Sequence, residues 1–225
     1  MNQSSVLFVV CVNDEALYSQ CIRHILHLAV PPSYSYDILP VRGSTSMASS
    51  YNLALDHPSK YKVYLHQDTF IIHRNFLNDV LQLFQQNKEL GLLGVAGCET
   101  MPSNGIWWES ERKAGKVIEY RAGCFSTLQF ESTGSENHSF TPAEAVDGLL
   151  IATQYDLKWR DDLFEGFHFY DSSQSIEFQK HGYQIGIARQ EEPWCLHYCG
   201  DSFDAEAYEK DRKIFVRHYI TNSPR

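Results

Sequence analysis

Asp68 closes an apolar run, Val63-Tyr64-Leu65, and is preceded by His66 and Gln67. A carboxylate at the mouth of a buried strand is a natural seat for a hard divalent cation. Such an ion would bridge the two phosphates of a nucleotide and keep other positions for water. The competing reading is a turn Asp ahead of the next helix, and residue type alone favours it. Trp107 and Trp108 stand side by side in a polar stretch. They offer either a platform for the C–H face of a sugar or a pair closing the core under a long loop. Cys195, His197 and Cys199 fall at i, i+2 and i+4. A regular strand would bring all three to one face, but no second Cys/His pair completes a zinc pattern.

The elements that must position these residues are readable from apolar periodicity. Val6 to Val12 is a β-branched run suited to a strand buried on both faces. Asn13-Asp14 can cap the helix that follows, whose apolar face is Leu17, Cys21, Ile22, Ile25 and Leu28. Pro31-Pro32 ends it. Strands are predicted over 36–39, 61–65 and 91–97, with a helix carrying Met47, Tyr51 and Leu55 and another carrying Phe76, Val80, Leu81 and Phe84. This β-α-β-α-β-α-β order predicts a parallel, three-layer α/β sheet. Ligands of such sheets bind at the carboxyl ends of the strands, so Asn13 and His66-Gln67-Asp68 should share one cleft.

From Cys98 to Pro142 the texture becomes polar, with short strands predicted over 116–120 and 123–129. Core-like sequence resumes at Ala145 to Ala152, followed by a helix over 171–180, strands over 183–188 and 194–198, and a last helix over 204–219. We therefore expect one domain: a nucleotide-binding half (1–98), an inserted flap (99–142) and an acceptor half (143–225).

Composition narrows the classes. Of 225 residues, 19 are Lys or Arg and 28 are Asp or Glu, a net charge of −9. That opposes a general phosphate-backbone binder, so no nucleic-acid partner is expected. No run approaches the ~20 apolar residues of a membrane span. The amino-terminal residues lack a basic region and a cleavage site, so they read as a first strand rather than a signal peptide. Six cysteines without a compact framework point to a reduced, cytoplasmic protein. No G-x-G-x-x-G, P-loop or G-x-S-x-G pattern occurs.

The set Asn13-Asp14-Glu15 after an apolar strand, Ser49-Ser50-Tyr51-Asn52-Leu53-Ala54-Leu55, and Tyr61 through Asp68 resembles the nucleotide-binding half of family 2 glycosyltransferases with the GT-A fold. Val146-Asp147-Gly148 resembles that family's acceptor-side strand. Asp161-Asp162-Leu163-Phe164 through Phe169-Tyr170-Asp171 resembles its "F-D-E … E-D" segment. Two positions depart: His66 replaces the first Asp of D-x-D, and Tyr170 replaces the Glu of E-D. The His-Gln-Asp form is most similar to a small bacterial subgroup.

The resemblance implies a GT-A (Rossmann-like) three-layer sandwich with a mostly parallel central sheet. It implies inverting transfer from a nucleotide-diphosphate sugar, most often a UDP-sugar, to a hydroxyl of a glycan, lipid-linked or protein acceptor. Polysaccharide or glycoprotein assembly beside a bacterial membrane, with peripheral contact, would follow by analogy. Val12, Asn13, Asp14, Glu15, Met47, Asn52, Gln67, Asp68 and Asp147 would hold the donor. Asp68 and His197 would ligate Mn²⁺ or Mg²⁺. Asp171 would be the general base, kept ionised by a helix N-terminus. Trp107, Trp108 and His168 would meet the acceptor. Against this stand two alternatives. One is a degenerate module that binds nucleotide-sugar or glycan without turnover. The other is a protein with a structural Cys195/His197/Cys199 zinc site.

Overall fold

The computed structural model describes residues 2–130, 139–200 and 203–221. Part of the expected flap (131–138) and small parts of the acceptor half (201–202, 222–225) lie outside these residues.

The apolar run 6–12 lies within the first strand, β1 (Asn2–Val12). Side chains alternate across a strand, and here both faces are buried. Val6, Phe8, Val10 and Val12 enter one core, whereas Leu7 and Val9 enter the other. The first core is closed by α1 (Glu15–Leu26), through Cys21 and Ile25, and by an amphipathic helix, Phe76–Gln86. In chain order the elements between them are β2 (Ser35–Arg42), α2 (Met47–Asn52), β3 (Ser59–His66) and β4 (Thr69–Ile71), which makes Phe76–Gln86 α3. The second core is closed by Met47, Ala48 and Tyr51 of α2 together with Tyr170 and Phe178. Helices thus cover both faces of one sheet.

Next come β5 (Leu90–Gly94), β6 (Ala96–Cys98), β7 (Lys113–Arg121), β8 (Cys124–Phe130), β9 (Phe140–Pro142), β10 (Ala145–Val146) and β11 (Leu150–Thr153). The chain ends with α4 (Tyr170–Lys180), β12 (Gln184–Ala188), β13 (Cys195–Tyr198) and α5 (Ala205–Phe215), which continues as a π turn to Thr221. The main sheet has the order β2-β1-β3-β11-β5-β12-β9. β1 is parallel to β2 and β3, and β12 to β5. β11 runs antiparallel between β3 and β5. Residues 147–149 join it to β10, which lies in a second sheet.

The run expected as one strand over 91–97 divides between two sheets. β5 stays in the main sheet, whereas β6 joins a second one, β10-β6-β7-β13-β4, with β8 paired to β7. Gly97 permits the division: a Cβ there would reach within 2.7 Å of Val146 Cα and strike the Ala145 carbonyl oxygen. The 113–130 hairpin forms part of this second sheet, whose strand β13 carries His197 beside β4. Among the described residues no helix is long and apolar enough to cross a membrane.

Candidate active site

The carboxyl ends of β1, β2 and β3 open into a cleft of about 410 Å³ lined by Cys11, Val12, Asn13, Gly43, Ser44, Met47, His66, Gln67, Asp68 and Phe167. Asn13 and His66-Gln67-Asp68 therefore do share one cleft, as the parallel order predicts. Gln67 joins the two strand ends. Its Oε1 accepts from the backbone N–H of Asn13 and of Asp14, both at 2.9 Å, and its Nε2 donates to Asn13 Oδ1. Asp14 caps α1, accepting from Ala16 N and Leu17 N at 2.8 and 3.0 Å. Its Oδ1 is engaged by the helix, and the neighbouring Asn13 lines the cleft.

Asp68 is two residues past the tip of β3. Its Oδ1 is buried and receives no hydrogen bond. It lies 3.5 Å from His197 Nε2 and 3.9 Å from His66 Nδ1. One ligand atom from each of these residues falls within 4.8 Å of the others. Burial pushes the Asp68 carboxyl up, but His197 and His66 outweigh it and leave it below the usual range. Burial holds His66 below its ordinary value, which keeps that imidazole neutral. For His197 burial is overcome by Asp68 and Cys199, which push it up to about 10. An orphaned carboxylate oxygen facing two imidazoles is a donor set that fits a divalent cation. His66, the third member of this cluster, is not among the ligands expected from the sequence. Its signal was present: it occupies the position of the first Asp of D-x-D.

His66 Nε2 bonds Tyr170 Oη at 2.5 Å, linking the Asp68 cluster to the start of α4. Phe169, at φ 58°, turns the chain into that helix. Asp171 follows on its first turn. Its Oδ2 accepts from Gly148 N at 2.8 Å and its Oδ1 from Ser172 N at 2.7 Å. The helix start does not keep this carboxyl low. Burial first, then Asp147, push it up to about 7. Asp147 belongs to the 147–149 link, and its Oδ1 accepts from Leu149 N at 2.9 Å.

The model of the Glycosyltransferase like family matches residues 7–219. The chain belongs to this family. No curated protein matches the sequence. Among solved structures, GalNAc-T7 with UDP, GalNAc and Mn²⁺ aligns with a TM-score of 0.61 at 8% identity, over 97% of this chain and 50% of that one. S. aureus TarS 1–349 with UDP-GlcNAc gives 0.56 at 8%, over 89% and 60%. The mannosyltransferase PcManGT from Pyrobaculum calidifontis, with GDP-Man and Mn²⁺, gives 0.53 at 12%, over 89% and 58%. These likenesses show the GT-A fold expected from the sequence. The chain spans between half and three fifths of the length of these three proteins.

Within this glycosyltransferase-family fold the remaining sequence-selected residues are spread widely. Glu15 is exposed at the amino end of α1 and held by Arg42, with Nε–Oε1 at 2.6 Å and Nη2–Oε2 at 3.1 Å. Met47 is buried in the cleft wall, and its N–H donates to Gly166 O at 3.0 Å. Asn52 lies outside the cleft lining, and its amide holds the Trp159 backbone through bonds of 3.1 and 2.8 Å. The tryptophan pair separates: Trp107 enters the core, whereas Trp108 is exposed and packs beside Tyr208. His168 meets the same Tyr208 and Phe203, so Trp108 and His168 share one aromatic rim. Cys195 is fully buried in the core.

Gly148 holds the two ends of the site in contact. A Cβ there would lie 2.6 Å from Tyr170 Cζ and closer still to its hydroxyl. Gly148→Ala should displace Tyr170 and loosen the bond from Gly148 N to Asp171. We expect about 1–3 kcal/mol of lost stability, the usual range for overpacking, read from denaturant unfolding. An unchanged midpoint would show that Tyr170 is not confined by this contact.

Proposed function

We propose that the chain transfers a sugar, with inversion, from a nucleotide-diphosphate sugar to a hydroxyl acceptor, Asp171 acting as base. The observation that carries this reading is a cleft holding an orphaned Asp68 oxygen, tied by the His66–Tyr170 bond to the first turn of α4, where the next residue, Asp171, has its carboxyl near 7. A general base works best when its pKa lies near the operating pH.

The β1 end and the Gly43–Met47 turn would receive the nucleoside, with uridine as the base that the family resemblance favours. Asp68, His197 and His66 would hold Mn²⁺ or Mg²⁺. When bound, that ion supplies positive charge for the leaving diphosphate. Asp171 takes the proton as the acceptor O–H bond breaks. The freed oxygen pair forms the new bond at the anomeric carbon from the opposite face, and the diphosphate leaves with the pair of the old C–O bond. Gly148 N and Ser172 N hold the carboxylate in place while a lone pair on each oxygen stays available. Trp108 and His168 would meet the acceptor, a glycan or a lipid-linked or protein hydroxyl. The GDP-Man, UDP-GlcNAc and UDP ligands of the three similar structures agree with a nucleotide-sugar donor.

Calorimetric titration with UDP, GDP, CDP and dTDP, each with and without Mn²⁺, tests this reading. One nucleotide should bind, and only with metal. Failure of all four in the presence of Mn²⁺ would remove the donor site from the proposal.

A further inference from the structure

The spacing of Cys195, His197 and Cys199 suggests a cation site, and the fold replaces one of its members. Cys195 is buried in the core, away from solvent. Glu119 of β7 takes its place, because β13 lies parallel to β7 with His197 opposite Glu119. Cys199 Sγ is 3.2 Å from His197 Nδ1 and 3.2 Å from Glu119 Oε1. One ligand atom from each of the three residues lies within 4.8 Å of the others.

We propose that Glu119, Cys199 and the Nδ1 atom of His197 form a second cation site, selective for Zn²⁺, back to back with the Asp68 cluster. Thiolate, imidazole and carboxylate together are a zinc donor set, and three protein ligands leave a fourth position for water. The opposite ring nitrogen, Nε2, faces Asp68. That reproduces the carboxylate–histidine–zinc arrangement, in which the outer carboxylate fixes the ring and its tautomer. Arg121 Nη2 already lies 3.1 Å from Glu119 Oε1, so a positive group occupies this oxygen now. The Arg121 side chain is 59% exposed and can swing away. As the Zn–S bond forms, the Cys199 S–H bond breaks and its proton passes to buffer. Any proton on Nδ1 leaves likewise.

The shared imidazole has a consequence that rests on the proposed donor site. A neutral ring coordinates through one nitrogen and carries its proton on the other. Zinc on Nδ1 leaves an N–H on Nε2, directed at Asp68. His197 can therefore serve either site, and not both at once.

The test uses the full chain after chelator treatment, with zinc measured by equilibrium dialysis and Co²⁺ as an optical probe. A single zinc per chain is expected, and Co²⁺ should give a thiolate charge-transfer band. Cys199→Ser should abolish the band, and both Cys199→Ser and Glu119→Gln should weaken zinc by tenfold or more, on the order of a lost ligand. Cys124→Ser removes the exposed thiol of β8 and should change neither reading. Asp68→Asn removes no zinc ligand, so at saturating Co²⁺ the thiolate band should persist although affinity falls with the lost outer carboxylate, which separates this site from the donor site whatever the nucleotide titrations give. Absence of the band in the native chain, its survival in Cys199→Ser, or its loss in Cys124→Ser would each overturn the proposal. Circular dichroism of each variant confirms that it is folded.

Discussion

Asp171→Asn is expected to lower the transfer rate by roughly 10²–10⁴-fold, the range of general-base assistance. Donor affinity should stay near the native value, because the group acts on the acceptor proton. Loss confined to kcat identifies an interaction made in the transition state. The native rate should rise with pH through about 7, where burial and Asp147 place the Asp171 carboxyl. Below that pH the base is protonated and idle. A native rate in Asp171→Asn would assign the base elsewhere.

The same carboxyl makes a prediction about stability with the opposite sign. Its folded pKa, about 7, exceeds the ordinary 3.8. The folded state therefore holds the proton more tightly than the unfolded chain. Stability from this group is present below 3.8 and is lost as pH rises through about 7. The difference corresponds to something on the order of 4 kcal/mol. Tyr51, Tyr170 and Tyr208 also surround the group, but they do not titrate in this window. Unfolding measured at about pH 5 and about pH 8 should show a steeper decline in the native chain than in Asp171→Asn, where the contribution of His197 remains. The asparagine loses one of two backbone partners, at about 1–3 kcal/mol. That loss is independent of pH, so the slope separates the two effects. For the proposed base, a carboxyl held at the expense of stability is the compromise expected at an active site.

Strongly periodic segments were legible from sequence. The β-branched run in β1 and the apolar faces of α1 and α3 need only local spacing, and their residues are buried as expected. What was not legible depends on distant partners. An apolar run does not record that β10 approaches Gly97 closely and pairs with β6 alone, so 91–97 read as one strand. Nor does it record direction, and β11 entered the sheet antiparallel. Adjacent tryptophans look equivalent in sequence, yet a short 3₁₀ turn sends Trp107 inward and Trp108 outward. The cleft itself followed from strand order, because carboxyl ends of parallel strands must converge. Its details did not: nothing in the sequence says that the Gln67 amide links the β1 and β3 ends. The Glu119–Cys199 contact joins residues far apart in the chain, and only the pairing of β7 with β13 brings them together.

Asp68→Asn is expected to reduce metal-dependent nucleotide affinity on the order of 100-fold, about 3 kcal/mol. The substitution keeps the shape of the side chain and removes the only carboxylate of the cluster. Without metal neither chain should bind nucleotide. Stability at neutral pH should fall as well, because Asp68 holds His197 above its ordinary value in a largely buried pair. His197→Ala in the same background should add little, since both residues would act on one ion and such effects are not additive. Equal Mn²⁺-dependent binding by native chain and Asp68→Asn would sink the assignment. The replacement of an Asp by His66 sharpens the expectation. One carboxylate and two neutral imidazoles leave a divalent ion with a net positive charge, where two carboxylates would cancel it. That charge remains available to a diphosphate. Mg²⁺ favours oxygen ligands and gives up water reluctantly, whereas Mn²⁺ accepts imidazole more readily. Nucleotide titrations should therefore rank Mn²⁺ above Mg²⁺, and His66→Asp should narrow the gap between them. A native chain that binds nucleotide equally well with either ion would show that His66 stays on Tyr170 and leaves the cation to other ligands.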